Sequence, residues 1–345
     1  MISRIVPCLL FFNSLVIAAK AQTTAYSEVG GFDTIQLTGT GGGRSRLTFA
    51  APQFLQASKY SGYASVVDSD SALYDATAAW SDDAFNAEAG AHYVEIVSVN
   101  GSTSVFGVGL TRTILDTDAA SKRLILGAAL PAGLTAPVEY RVIRHWTLAS
   151  IFGATNTAGL QGGSAVSADL VQLWNGATHD SYYYQTTGIG GIGWRKVGDQ
   201  SSDASGTVIR PDQSMMIMRV AAPTLPLVVN GWVKTGQASI EVASGFNFLP
   251  NPFSEAMTLG TSGLFTGDPL TGIASGGTTG ADQVMLWNGT GYDTYFYQNG
   301  GLGGQGWRKI GAQSVDASST KIEPGTSMIL KRQIAEGFTW TIPQH

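Results

Sequence analysis

Residues 169–219 read DLVQLWNGATHDSYYYQTTGIGGIGWRKVGDQSSDASGTVIRPDQSMMIMR, and residues 282–332 read DQVMLWNGTGYDTYFYQNGGLGGQGWRKIGAQSVDASSTKIEPGTSMILKR. The two stretches align without a gap at an offset of 113, and 29 of the 51 paired positions are identical. A block written twice in this way is an internal duplication, and it sets the architecture before any local reading. Val171 and Leu173 flank Gln172 with the period of a half-buried strand. Asn175-Gly176 predicts a type I′ turn into a second strand over 180–185. The run Gly188-Ile189-Gly190-Gly191-Ile192-Gly193 reads as a further turn, 194–197 as a third strand, and Pro211-Asp212 as the turn before a strand over 215–219. The block is therefore expected to be an antiparallel meander.

Comparing the copies sorts the faces. Val208 becomes Lys321 and Arg210 becomes Glu323, while Thr207 and Ile209 recur as Thr320 and Ile322, so Ile209 and Ile322 face inward. Ser181 and Tyr183 vary to Thr294 and Phe296, whereas Tyr182 and Tyr184 recur as Tyr295 and Tyr297 and share a face. That face has two readings. Alternating aromatics are what a half-buried sheet needs for its core, and this is the stronger reading. The other is a platform on which sugar rings stack, made bivalent by the duplication. Trp174, Trp287, Trp194 and Trp307 carry the same choice.

The pairs Arg195-Lys196 and Arg308-Lys309 are harder to read as packing, because adjacent strand residues point to opposite faces. One member of each is expected to pair with Asp180 or Asp293, or with Asp169 or Asp282, fixing the meander. Recognition of an acidic ligand is the sharper alternative, set against the weak worth of most surface charges. Any ligand site would begin at Tyr182, Tyr184, Trp194, Arg195 and Lys196, and at Tyr295, Tyr297, Trp307, Arg308 and Lys309.

Outward from the block, residues 246–253 (FNFLPNPF) match residues 47–54 (LTFAAPQF) in order and character, and Thr258-Leu259 matches Thr147-Leu148. The chain then divides into a first unit over 22–55 and 146–221, a linker over 222–228 stiffened by Pro223 and Pro226, and a second unit over 229–345. Residues 56–145 have no counterpart and are expected to form an inserted small β domain, a barrel or sandwich. Its strands are predicted over 93–99, 106–110, 122–126 and 138–143, with a short helix or long loop over 71–91. The expected fold is thus all-β: two homologous antiparallel β units of sandwich or barrel type, the first carrying the insertion. The 44 glycines, the 12 prolines and a charged fraction of only 13% agree with many short strands and turns.

Arg4, the apolar run 5–16 and Ala19-Lys20-Ala21 have the form of a secretory signal peptide over 1–21. The run is too short to span a bilayer comfortably, and no later apolar stretch reaches that length. Cys8 is the only cysteine and lies inside this segment, so the mature chain is expected to have neither a disulfide nor a thiolate nucleophile. Loss of Arg4 and Lys20 leaves 18 basic against 25 acidic residues, a net charge of −7 without a basic run. Nucleic acid and anionic membrane surfaces are not expected partners. The expected destination is secreted or cell envelope, periplasm or outer surface.

Chemistry-bearing patterns are sparse. His92, His145, His179 and His345 lack metal-ligand spacing, and His179 is replaced by Tyr292 in the second copy. No H-E-x-x-H, G-x-S-x-G, Walker or dinucleotide fingerprint stands in a strand-to-helix setting. Asp68, Asp70 and Asp75, Asp82 with Asp83, and Asp116 with Asp118 cluster in the insertion without a calcium-loop pattern, and read as solvated loop acids. Asn100-Gly101-Ser102 and Asn288-Gly289-Thr290 match the glycosylation sequon. No cofactor, metal or catalytic residue is expected.

The succession Asp-x-Val-x-Leu-Trp-Asn-Gly, Asp-x-Tyr-x-Tyr, Gly-Trp-Arg-Lys and Ile-x-Pro-x-x-Ser-Met, present twice, resembles a family of uncharacterised exported bacterial proteins built from such paired units behind a signal peptide. The likeness covers most of the mature chain. It implies export and the paired architecture, and brings no activity, cofactor or catalytic residue. The expected function is a structural or adhesive role at the cell envelope or outside the cell, without enzymatic activity, toward an extracellular glycan or another envelope protein. The rivals are a carbohydrate-binding module using the Tyr/Trp face, and a hydrolase with two converging carboxylates.

Overall fold

The computed structural model describes residues 29–39, 46–68, 71–86 and 91–344. The expected signal peptide with Cys8, as well as Asp70 and His345, lie outside the described residues. The protein is all-β, with several antiparallel sheets. The single α-helix among the described residues is Leu148–Phe152, started by a capping box in which Thr147 and Ser150 exchange side-chain-to-backbone hydrogen bonds. No helix there is long and apolar enough to cross a membrane.

The duplicated block is the expected meander. In the first copy the sheet runs, from one edge to the other, Gly193–Lys196, His179–Gln185, Leu170–Trp174, Met215–Met218 and Leu47–Ala50. In the second it runs Gly306–Lys309, Tyr292–Gln298, Gln283–Trp287, Ser327–Arg332 and Gly245–Pro250. Registers repeat at the sequence offset: Val171 lies opposite Tyr182 as Val284 lies opposite Tyr295, and Met215 opposite Ala50 as Met328 opposite Leu249. The match of 47–54 with 246–253 is therefore also a match of strand position.

The turn after Trp174 differs from the two-residue type expected. Four residues separate Trp174 from its partner His179, and of Asn175 and Gly176 only Gly176 has positive φ. The Asn175 carboxamide accepts from the Ala177 and Thr178 amides, closing the loop through its side chain instead. Both faces of the meander are covered. Tyr182 belongs to the main core, while Tyr183 is 1% exposed on the opposite face against Ala168 and Leu170.

Each unit is closed by a second, smaller set of strands. Gly30–Leu37 pairs along its whole length with Leu225–Val233, which also takes Phe54–Leu55. In the second unit Ala238–Val242 pairs with Phe338–Ile342. The expected linker over 222–228 therefore overlaps a strand, Leu225–Val233, that pairs with Gly30–Leu37. Buried Leu227 and Val229 alternate with exposed Pro226 and Val228, and at the offset of 113 they coincide with Trp340 and Ile342. Apolar alternation outweighs the prolines here, since Pro226 stands at an exposed position.

The insertion is one seven-stranded sheet that closes on itself. Ser58–Ala64 pairs with Val138–Arg144, and after Ser65 the same chain continues as Val66–Asp68 to pair with Ala72–Tyr74 at the other end of the strand order. The result is a barrel around Leu73, Ile96, Ile114, Leu124 and Tyr140. Three predicted strands stand within a residue or two, as His92–Val99, Arg123–Leu126 and Val138–Arg144. The fourth, over 106–110, is a turn, because Gly107 and Gly109 have positive φ, and the strand begins instead at Thr111. Within 71–91 the described residues hold a three-residue strand, and turns that deliver Trp80 and Phe85 to the barrel core.

Among the described residues three large cores result, one per unit and one in the insertion, beside the small cluster of Ala168, Leu170 and Tyr183 on the far face of the first meander. Phe49 of the first unit meets Trp287 and Tyr292 of the second, and Phe248 meets Trp174 and His179 of the first. These are equivalent positions exchanged, the pattern of an isologous two-fold interface formed within one chain. The insertion is tied on by Glu95, which bonds Lys234 and, at 2.8 Å, Arg141, and by an ion pair between Arg112 and Glu241.

Candidate functional site

The recurring residues of the block assemble in two places. At the exposed margin of the core face Lys196 reaches Asp180 at 2.9 Å and Lys309 reaches Asp293 at 2.9 Å, one of the pairings the sequence left open. The hydrogen bond to Lys309 holds the Asp293 carboxyl below its usual range. Both lysines are substantially exposed, so each pair orients the strands more than it stabilises them.

Arg195 and Arg308 turn inward and are 5% exposed. Each guanidinium bonds the carbonyl of its neighbouring tryptophan at 2.8 Å and also the glycine carbonyls of the turn, Gly190 in the first copy and Gly303 in the second. Gln185 and Gln298 donate from the other side to the carbonyls of Ile189 and Gly191, and of Leu302 and Gly304. The Gly-rich turn is thus wrapped, carbonyls inward, around two buried donors. Gly190 has φ 80°, and a Cβ there would overlap the Gln200 carbonyl oxygen. The arginine that looked least structural in the sequence holds this loop in place.

The block's own ends form the other buried pair. Asp169 accepts from Arg219 at 3.2 Å and from the Val220 amide, and Asp282 accepts from Arg332 at 2.6 Å and from the Gln333 amide. Sequence reasoning missed Arg219 and Arg332 as the partners. The available signal was that both copies begin with Asp and end with Arg.

Tyr182 and Tyr295 are 7% exposed, Trp194 is fully buried and Trp307 is 4% exposed, so these four build the cores and offer no open platform. Tyr184 and Tyr297 are half-buried and stand edge-on to the tryptophans, with ring centroids 5.7 and 5.8 Å apart. Here the copies diverge. The Trp194 indole N–H donates to the Gly153 carbonyl at 2.9 Å, at the end of the Leu148–Phe152 helix. The second copy has two more residues between its Thr-Leu and the block, and Gly260, Ser262 and Gly263 replace the helix. The Ser262 carbonyl is taken by Trp340, which stands where the first unit has Leu227. Among the described residues no carbonyl takes the place of Gly153 on Trp307.

Trp307 instead borders a cleft of about 280 Å³ with Phe265, Tyr297, Gly306, Asp316 and Ser318. Phe265 and Tyr297 are stacked, centroids 3.4 Å apart and planes 11° from parallel. Asp316 accepts from the Ser318 hydroxyl at 2.5 Å and from Arg308 at 3.2 Å; the serine first and the arginine after it hold its carboxyl below the usual range. Phe265, Asp316 and Ser318 were not singled out from sequence, although the Asp-Ala-Ser tripeptide recurs at 203–205.

A second cleft, of about 320 Å³, lies where the three parts meet, bordered by Arg112, His145, Arg210, Asp212 and Glu241. Its charged groups pair with each other, Arg112 with Glu241 and Arg210 with Asp212 at 3.1 Å. His145 is 1% exposed, within 3.1 Å of the Thr113 hydroxyl and tilted by 36° against Tyr93, and burial, followed by the nearby Arg210 and His92, pushes its pKa down to about 3. Asp75, expected to be a solvated loop acid, is instead fully buried and accepts from the core Tyr140 and from Thr77, while Asp82 accepts from the Ala119 amide and Asp118 from the Ser121 amide at the surface. Among the described residues no group of three or more His, Cys, Asp or Glu is placed to hold a metal ion. Comparison with protein-family models, with curated proteins and with solved structures finds no match to this chain.

Proposed function

We propose that the chain is an exported, non-enzymatic β-repeat protein with a structural or adhesive role at the cell envelope or outside the cell, built from two homologous units. One observation carries the reading. In both copies the recurring arginines, lysines, aspartates and buried aromatics are engaged with other parts of the same unit, so duplication has preserved a scaffold. The exchanged Phe–Trp contacts join the units into one body, as suits a load-bearing or displayed protein. Export is tested by fractionating cells that express the full chain and sequencing the mature N-terminus. Cleavage after Ala21 and recovery outside the cytoplasm are expected, whereas an uncleaved cytoplasmic product would remove the reading.

The rival, a carbohydrate-binding module, is favoured by the cleft beside Trp307. In that form it uses one copy and not two.

A further inference from the structure

We infer that the second unit carries a single binding site for the terminal ring of a neutral sugar, in the cleft bordered by Phe265, Tyr297, Trp307, Asp316 and Ser318. The inference deepens the carbohydrate-binding rival and is independent of where the protein resides.

The chemistry of the cleft selects a polyol with an apolar face. One wall is aromatic, the stacked Phe265–Tyr297 pair, to which Trp307, largely buried and edge-on to Tyr297, adds only its margin. Such surfaces take the C–H face of a pyranose ring. Its rim is polar. Asp316 has a carboxylate side chain 61% exposed, and its oxygens have lone pairs beyond those used by Ser318 and Arg308. An ionised carboxylate accepts from two hydroxyls of a ring at once, with charge-assisted strength. The Trp307 indole supplies a donor that its counterpart Trp194 has already given to Gly153.

Charge and size narrow the class further. Arg308, the cation paired with Asp316, is buried and committed to Trp307, Gly303 and Asp316. The free charge facing a ligand is therefore negative, which disfavours acidic sugars and phosphorylated groups. A volume of about 280 Å³ lies just below the roughly 300–1,000 Å³ of small-molecule sites, room for one ring and not for a run of polymer. A Cβ on Gly260 would press on the Ser318 backbone and one on Gly263 would overlap the Thr341 carbonyl, so the loop that replaces the first unit's helix depends on those glycines.

The first unit lacks the site for a local reason. The Leu148–Phe152 helix places Gly153 against Trp194, and Phe152 packs on the same indole with centroids 5.7 Å apart. Binding is therefore monovalent, in contrast to the bivalent mode that a duplication suggests.

The test follows the Trp307 indole N–H resonance of the mature full-length chain, assigned by its loss in Trp307→Phe. Glucose, galactose, mannose, fucose and N-acetylglucosamine are titrated in turn, with glucuronic acid as the acidic comparator. At least one neutral sugar is expected to shift that resonance saturably at one site per chain while the Trp194 resonance stays still. Asp316→Asn, an isosteric change at an exposed position, is expected to weaken binding roughly tenfold or more, and Asp203→Asn to leave it unchanged. Absence of a shift with every neutral sugar, a response confined to glucuronic acid, or equal affinity in Asp316→Asn would each overturn the inference.

Discussion

The ring of Phe49 stands 5.9 Å from that of Trp287, and the ring of its counterpart Phe248 stands 4.9 Å from that of Trp174. Each unit therefore holds the other through the same two positions, and Trp174 and Trp287, read from sequence as core or ligand platform, are used between units. Truncating the contact should loosen the pair. Phe49→Ala, at a position 6% exposed, is expected to cost about 3 kcal/mol in chemical denaturation. An unchanged denaturation midpoint would count against this interface.

The Gly-rich turn offers a paired test of backbone strain. Gly190 and Gly191 both have positive φ, 80° and 76°, but only at Gly190 would a Cβ collide, with the Gln200 carbonyl. Gly191→Ala should cost about 1–2 kcal/mol, the ordinary penalty for a left-handed alanine. Gly190→Ala should cost clearly more, and Gly303→Ala should copy it in the second unit. Equal losses for Gly190→Ala and Gly191→Ala in parallel melts would show that the loop is not wrapped this tightly.

The buried guanidinium should be replaceable by neither a lysine nor an apolar group. Arg195→Lys leaves at least one glycine carbonyl unbonded, because an ammonium lacks the planar fork that reaches Trp194 and Gly190 together. We expect a loss of about 2–3 kcal/mol and faster amide exchange over residues 188–193. Exchange rates unchanged from the parent would separate Arg195 from the loop.

Two buried groups make the fold acid-sensitive, with the same sign. His145 has its folded pKa lowered from the ordinary 6.5 to about 3. Between those values the unfolded chain binds a proton that the folded chain refuses, so stability is full above pH 6.5 and falls as the pH drops toward 3. The slope approaches about 1.4 kcal/mol per pH unit. Burial alone would raise the Glu95 pKa, but Lys234 and Arg141 outweigh it and hold the pKa below 4.5. Its contribution is present above 4.5 and is lost as the pH falls further. Denaturation at a series of pH values should show His145→Gln flattening the profile between pH 6.5 and 4.5. A parent-like profile in that variant would assign the sensitivity elsewhere.

Much of the block was legible because its determinants are local. Period-two alternation set the Val171, Tyr182 and Ile209 faces, turn residues marked the meander, and comparison of the copies marked Asp180 and Asp169 as candidate partners of the Arg-Lys pair, of which Asp180 takes Lys196. The sequence by itself determined which positions share a face, since side-chain period depends only on backbone geometry; that the opposite face is covered too, burying Tyr183 and Arg195, came from the fold.

What each inward residue meets was decided by the tertiary structure. Arg219 finds the Leu37 carbonyl across 182 residues, Lys234 finds Glu95 across 139, and Leu225–Val233 crosses the expected boundary because its partner strand lies near the chain's beginning. Periodicity has no term for a partner that distant. The same holds for the site. Trp194 and Trp307 occupy identical motifs, and only the fold of the preceding loop, a helix ending at Gly153 in one unit and a glycine-lined turn in the other, closes one indole and leaves the other facing a cleft.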